Sequence, residues 1–188
     1  MSITGKNIPE YLIYEIFEDR PIYYRNYKQF LKGKLNIEEI MGSSYLQSFI
    51  ITQIVLLLGK YLSDDYVQLT NEIGIRLDKK NWRAADIAIY KKTDLHTVDI
   101  EDKLLNIPPK YIIEIDTKAS LEGQNELGTY YIDKTDQLLQ FGVEKIIWIL
   151  TASKKVIIAE KGKNWEIADW NKDFQLEGIS INIPKLLP

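Results

Sequence analysis

Residues Lys110–Ser120 read KYIIEIDTKAS, and they follow a proline pair, Pro108-Pro109, that releases the chain into extended conformation. Period-two alternation puts Tyr111, Ile113, Ile115 and Thr117 on one face of this strand and Ile112, Glu114, Asp116 and Lys118 on the other. Three charges on one face of an otherwise apolar strand admit two readings. One is the wet side of an antiparallel sheet. The other is a strand that enters the core with its charges facing a cavity, and the unbroken Tyr-Ile-Ile before Glu114 points that way. Neighbouring carboxylates in such a place repel and need a lysine or a metal ion to relieve them.

Upstream of it, ADIAIY (Ala85–Tyr90) is a second strand, with Ile87 and Ile89 on one face and Asp86, Ala88 and Tyr90 on the other. An acid at a strand start is often a cap or turn residue. If the two strands pair, however, Asp86 meets Glu114, and two carboxylates are the minimal protein contribution to a magnesium site that keeps water and phosphate as its other ligands. Shorter β segments are expected at Tyr66–Leu69 and Ile73–Leu77. Before them, Leu46, Phe49, Ile50, Ile54, Leu57, Leu58 and Tyr61 recur at helical spacing behind a Ser43 or Ser44 cap, with Gln47 among them as a core-edge amide. After the Glu114 strand, Glu122–Phe141 reads as a helix. Lys134 falls at the centre of its apolar stripe, either snorkelling or pointing toward the carboxylates. Ile146–Leu150 reads as a buried strand, and Lys154–Glu160 with Trp165–Trp170 as a closing hairpin turning at Lys161–Lys163. Residues 1–43 are Tyr-rich, with short strands expected within Tyr11–Phe17 and Pro21–Tyr27. The order of elements predicts an α/β or α+β fold in one domain: a β-rich extension over 1–43, a core over 44–160, and terminal strands over 161–188.

The 188 residues are 45% hydrophobic and 27% charged, which is ordinary for a globular protein. They contain no cysteine and one histidine, so thiol nucleophiles, thiolate zinc sites and two-histidine metal sites are all excluded. What remains is chemistry by carboxylates, lysines and hydroxyls, with magnesium or manganese as the fitting ion. His96 lies in a polar stretch with no serine–acid pattern and is expected at the surface. No phosphate-binding glycine loop occurs. Trp165 and Trp170 could mark a partner surface, although sheet packing accounts for them as well. A net charge of −3 gives no global attraction to nucleic acid, but Lys79, Lys80, Arg83, Lys91 and Lys92 flank the Asp86 strand and could contact phosphates. The longest apolar run, Phe49–Gly59, is too short to cross a bilayer, and with no signal pattern and no cysteine the expected location is cytoplasmic.

An acid at a strand start, a second acid in the next strand and a lysine-bearing helix together resemble the PD-(D/E)XK nuclease superfamily of metal-dependent phosphodiesterases. Within it, GSS before the first helix, ADIAIY, YIIEI and DKTDQLLQFGVEKIIWIL look like the corresponding segments of the Uma-two family of bacterial endonucleases, from about Gly42 to Glu160. The resemblance implies a restriction-endonuclease-like core, a mixed sheet flanked by helices, with Mg2+ or Mn2+ as cofactor and DNA as partner. Asp86 and Glu114 become metal ligands, the Ile115 carbonyl a third, and Lys134 the catalytic lysine. Asp116-Thr117-Lys118 offers a competing register in which Asp116 is the metal ligand and Lys118 the lysine. Ala85 stands where a proline is usual. Gln47, an accessory candidate, stands where the family often has histidine, which leaves open a nuclease fold that has lost catalysis and binds nucleic acid or a protein instead. Paired cuts would suit a homodimer. A glycosidase is disfavoured, because acids two apart on one strand face lie in one row and do not oppose each other across a substrate.

Overall fold

This computed structural model describes residues 8–96, 98–116, 119–120 and 127–188. A β-hairpin comes first, β1 (Ile13–Phe17) and β2 (Arg20–Tyr23), turning at Glu18 and Asp19 with positive φ at both, as a two-residue hairpin loop demands. Two short helices, α1 (Tyr27–Leu31) and α2 (Ile37–Met41), lead to the long helix α3 (Tyr45–Tyr61). Ser44 is the N-cap of α3, its hydroxyl accepting the Gln47 N–H at 3.1 Å. The buried stripe of this helix is Gln47, Ile50, Ile54 and Leu58, and full burial of the three aliphatics stabilises the packing by roughly 1.5–3 kcal/mol each.

The two expected segments at 66–69 and 73–77 are one strand, β3 (Tyr66–Arg76), antiparallel to β4 (Trp82–Lys91). They read as two because Asn71 and Glu72 form a bulge, both at positive φ, that sets two residues against the single Asp86. A short helix α4 (Lys92–Leu95) follows, then β5 (Tyr111–Ile115) antiparallel to β4, helix α5 (Leu127–Phe141), and β6 (Lys145–Leu150) parallel to β5. The expected start of α5 at Glu122 lies outside the described residues. Antiparallel β7 (Lys155–Glu160) and β8 (Glu166–Asp169) extend the sheet, turning through Gly162 at φ +77. A small second sheet, β9 (Phe174–Leu176) with β10 (Ile179–Ile181), and a terminal turn of helix α6 (Ile183–Leu186) pack with α3.

The main sheet therefore has helices on both sides. Ile87, Ile89, Ile113, Ile115, Ile147 and Ile149 meet α3 and the β9–β10 hairpin on one face. Ala88, Tyr90, Ile112, Ile146 and Trp148 meet Tyr130 and Leu138 of α5 on the other. Trp170 packs against the first of these cores, so sheet packing explains it.

One topological detail creates the site. β4 has three strand partners but only two edges. β3 runs along one edge, so β1 and β5 share the other: β1 touches it at Trp82, β5 at Ile87–Ile89. Between them, residues 83–86 face a split in the sheet, where side chains must take over the backbone hydrogen bonds.

Candidate active site

Glu15 projects into this split from β1. Its Oε1 accepts the Ala84 N–H at 3.1 Å, a bond that a neighbouring strand would otherwise make. Its Oε2 accepts from Arg83 and from the Tyr130 hydroxyl, each at 2.9 Å. Opposite, α5 presents Tyr130, Lys134 and Gln137 at helical spacing on one face. Lys134 Nζ donates to Glu15 Oε1 and to the Ala84 carbonyl, both at 2.7 Å, and stands 2.8 Å from Glu114 Oε1. Gln137 Oε1 fixes the far side of Arg83 by accepting from Nε at 2.9 Å and from the second terminal nitrogen at 2.6 Å. The rings of Tyr14, Tyr130 and Trp148 surround the ammonium at 5.4–5.9 Å.

Asp86 lies at the mouth of the split. Its Oδ2 accepts the Ile115 N–H at 2.7 Å, closing the backbone where the β4–β5 ladder stops. Extending the Ile87–Ile113 register by one residue puts Asp86 opposite Glu114. Gln47, at the start of α3, points its Nε2 at both partners of that junction: 3.0 Å from the Ile115 carbonyl and 3.3 Å from Asp86 Oδ1.

Among the described residues, five aspartate, glutamate, lysine or arginine side chains are buried, and all five, Glu15, Arg83, Asp86, Glu114 and Lys134, meet here. Three carboxyls face two cations, one negative charge in excess when all three are ionised. Burial pushes the Glu114 carboxyl up to about 8, with Lys134 opposing and Asp86 assisting. Burial likewise raises Asp86, against the Ile115 N–H, and the bulge residue Glu72 adds to the rise. Burial would raise Glu15 too, but Lys134 and Arg83 outweigh it and hold it below the ordinary glutamate range. Burial would lower Lys134, but Glu114 and Glu15 overcome it and hold the ammonium well above the ordinary lysine range. Glu114 Oε1 has its cation close by, yet the approach of Lys134 lies outside hydrogen-bond geometry, and this oxygen has no hydrogen-bond donor.

Three sequence expectations change. Asp116 does not share the Glu114 face: β5 ends at Ile115, Asp116 turns to φ +57, and its carboxylate accepts from Thr151 N at 2.8 Å and Oγ1 at 2.6 Å. Arg83 is no phosphate contact, being 1% exposed and paired with Glu15. Lys79-Lys80 and Lys91-Lys92 flank β4 as expected but at its opposite ends, roughly 30 Å apart at strand spacing, so they do not converge on one phosphate site. Lys118 lies outside the described residues. His96 is exposed, as expected. Glu15 and Tyr130 belong to this buried cluster, a placement that the sequence reading missed. The available signal for Glu15 was a lone acid inside the apolar strand IYEIF.

A cleft of about 290 Å3 opens beside Gln47, lined also by Arg25, Asn26, Glu38, Ser44 and Asp116. Behind Gln47, oxygen donors come together: its Nε2 touches Asp86 and the Ile115 carbonyl, and Glu114 stands opposite Asp86 in the extended register. This donor chemistry and the excess negative charge suit a hard divalent cation. Among the described residues no group of three or more acid, histidine or cysteine side chains is arranged to hold a metal, so a cation here would rely on the carbonyl and on water.

No protein-family model matches the chain, and no curated protein matches it. Among solved structures, a putative nuclease belonging to DUF820 from Anabaena variabilis ATCC 29413 is similar, with TM-score 0.67 over 92% of this chain and 88% of that chain, at 13% identity. The two chains share a fold. The expected mixed α+β architecture, a central mixed sheet flanked by helices, is the one observed.

Proposed function

We propose that this protein is a Mg2+- or Mn2+-dependent phosphodiesterase that cleaves DNA at the split between β1 and β5. The observation that carries the reading is the buried set of three carboxyls and two cations, which Gln47 links to an open cleft through its contact with Asp86. Burying three carboxyls together, one of which must hold a proton or meet a further cation, is costly, and strongly perturbed groups of this kind cluster at functional sites. The shared fold supports the reading without specifying substrate.

In this reading Asp86, Glu114 and the Ile115 carbonyl hold the cation. When bound, such an ion supplies positive charge to the scissile phosphate and a more acidic water. Glu15 fixes Lys134, and Lys134 fixes Glu114 and offsets its charge; Lys134 thus acts through Glu114. Arg25, exposed at the cleft, is the cation placed to meet a substrate phosphate. Asp86→Ala and Glu114→Ala should each abolish divalent-dependent cleavage of plasmid while far-UV circular dichroism stays native. Full cleavage by either folded variant sinks the assignment.

One observation favours a second reading, a nuclease fold that binds without cleaving. Lys134 is fully buried, donates to Glu15 and the Ala84 carbonyl and pairs with Glu114, so its ammonium is enclosed by protein groups and does not reach the open cleft to orient a water or a phosphate. Salt-sensitive DNA binding that needs no metal, with no cleavage under any divalent ion, would select it.

A further inference from the structure

The Gln47 side chain sits where two oxygen ligands converge. Its Nε2 lies 3.0 Å from the Ile115 carbonyl, 3.3 Å from Asp86 Oδ1 and 3.5 Å from Asp86 Oδ2. Only a positive or hydrogen-bearing group is tolerated among three acceptor oxygens, so the amide must present its NH2 there. The position is itself fixed: Ser44 caps the first turn of α3 through the Gln47 N–H, and the side chain is 7% exposed, at the edge of the cleft.

We propose that the Gln47 amide is a built-in cation surrogate. It satisfies Asp86 and the Ile115 carbonyl in the metal-free protein, and it must rotate or withdraw into the cleft before a divalent ion can take its place. Gln47 then sets the metal affinity of the site and keeps it weak. This inference rests on the reading of Asp86 and the Ile115 carbonyl as metal ligands.

Removing Gln47 costs the metal-bound protein at most one amide ligand, and magnesium or manganese readily keeps water in that position. The metal-free protein loses the surrogate, whose net hydrogen bonding is worth about 0.5–1.5 kcal/mol, or roughly 2- to 10-fold in an equilibrium constant. Gln47→Ala should therefore bind Mn2+ several-fold more tightly than the parent. Gln47→Glu, which replaces the donor with a carboxylate, should bind it more tightly still, and its melting temperature should fall in EDTA and recover with Mn2+.

The experiment is a calorimetric Mn2+ titration of the parent protein, Gln47→Ala, Gln47→Glu and Asp86→Asn. A readout without mutation accompanies it: the Gln47 side-chain NH2 protons, followed by NMR, should be protected from exchange without metal and lose that protection on adding Mg2+. Tighter binding in both Gln47 variants with loss of NH2 protection supports the surrogate. Saturable binding that Asp86→Asn abolishes but the Gln47 variants leave unchanged or weaken overturns the surrogate and leaves the metal site standing. Absence of binding in the parent and in Gln47→Glu overturns the metal-site reading, and the surrogate with it.

Discussion

Glu15 is the residue on which the site turns, because it compensates both buried cations. It accepts from Arg83 and Lys134 while replacing a strand's hydrogen bond to Ala84. Glu15→Ala leaves two buried positive charges and an unsatisfied backbone N–H, and should destabilise the fold by about 3–5 kcal/mol in urea unfolding. Glu114 behaves in the opposite sense, since its charge, once it ionises above about pH 8, is the one in excess. Glu114→Gln should leave the metal-free protein as stable or more stable at pH 9 than the parent, while removing divalent-dependent cleavage. A large loss of stability at that pH would mean that the Lys134–Glu114 pair holds the fold and is not strained for function. Neither role was readable from spacing alone. Lys134 was conspicuous on its apolar stripe, but its partner Glu15 lies 119 residues away, and only strand pairing brings them together.

Among the elements, helices and strands with strong periodicity were legible. The helix opening at Ser44, the strands at 85–90 and 146–150, and the hairpin closing through Gly162 all follow from pattern and turn chemistry. The β3 bulge was not, because Asn71 and Glu72 interrupt the alternation and read as a break. The end of β5 was missed for a related reason. Alternation continues past Ile115 in the sequence, but the backbone turns at Asp116 to give its side chain to Thr151, so the second acid leaves the face that period two assigns to it. The caps of the elements also position the site. Ser44→Ala should cost about 1 kcal/mol in urea unfolding and should loosen Gln47, which the cap holds at the first turn. Gly142, at φ +130 beyond α5, has its missing Cβ position 2.9 Å from Pro108. Gly142→Ala is strained in backbone and in space, and should lower the melting temperature by several degrees.

For the whole molecule, the buried charges set the response to pH. The Glu114 carboxyl is raised from 4.5 to about 8 in the folded state, so the folded protein holds a proton that the unfolded chain releases. Stability contributed by this group is full below pH 4.5 and is lost as the pH rises through about 8. Glu15, held low, contributes stability above the ordinary glutamate range, lost as the pH falls through its lowered value. Urea unfolding of the metal-free protein should therefore show stability declining from about pH 5 to pH 8. The fall should be roughly a few kcal/mol, since each tenfold difference in proton affinity between folded and unfolded chains is worth about 1.4 kcal/mol. The Glu114→Gln variant should show a smaller decline, the part due to the raised Asp86 carboxyl remaining. The architecture explains why such a cluster persists. A sheet whose central strand has two partners on one edge must either bury unsatisfied backbone or fill the split with polar side chains, and this chain fills it with a set that, with every carboxyl ionised, is one positive charge short.

That missing charge is what a bound cation would supply, and anomalous scattering from crystals soaked in Mn2+ tests this without any substitution. A peak is expected behind Gln47, within bonding distance of Asp86, the Ile115 carbonyl and Glu114, with the Gln47 amide turned away. Full soaking with no peak there, or manganese only on surface carboxylates, would refute the metal assignment.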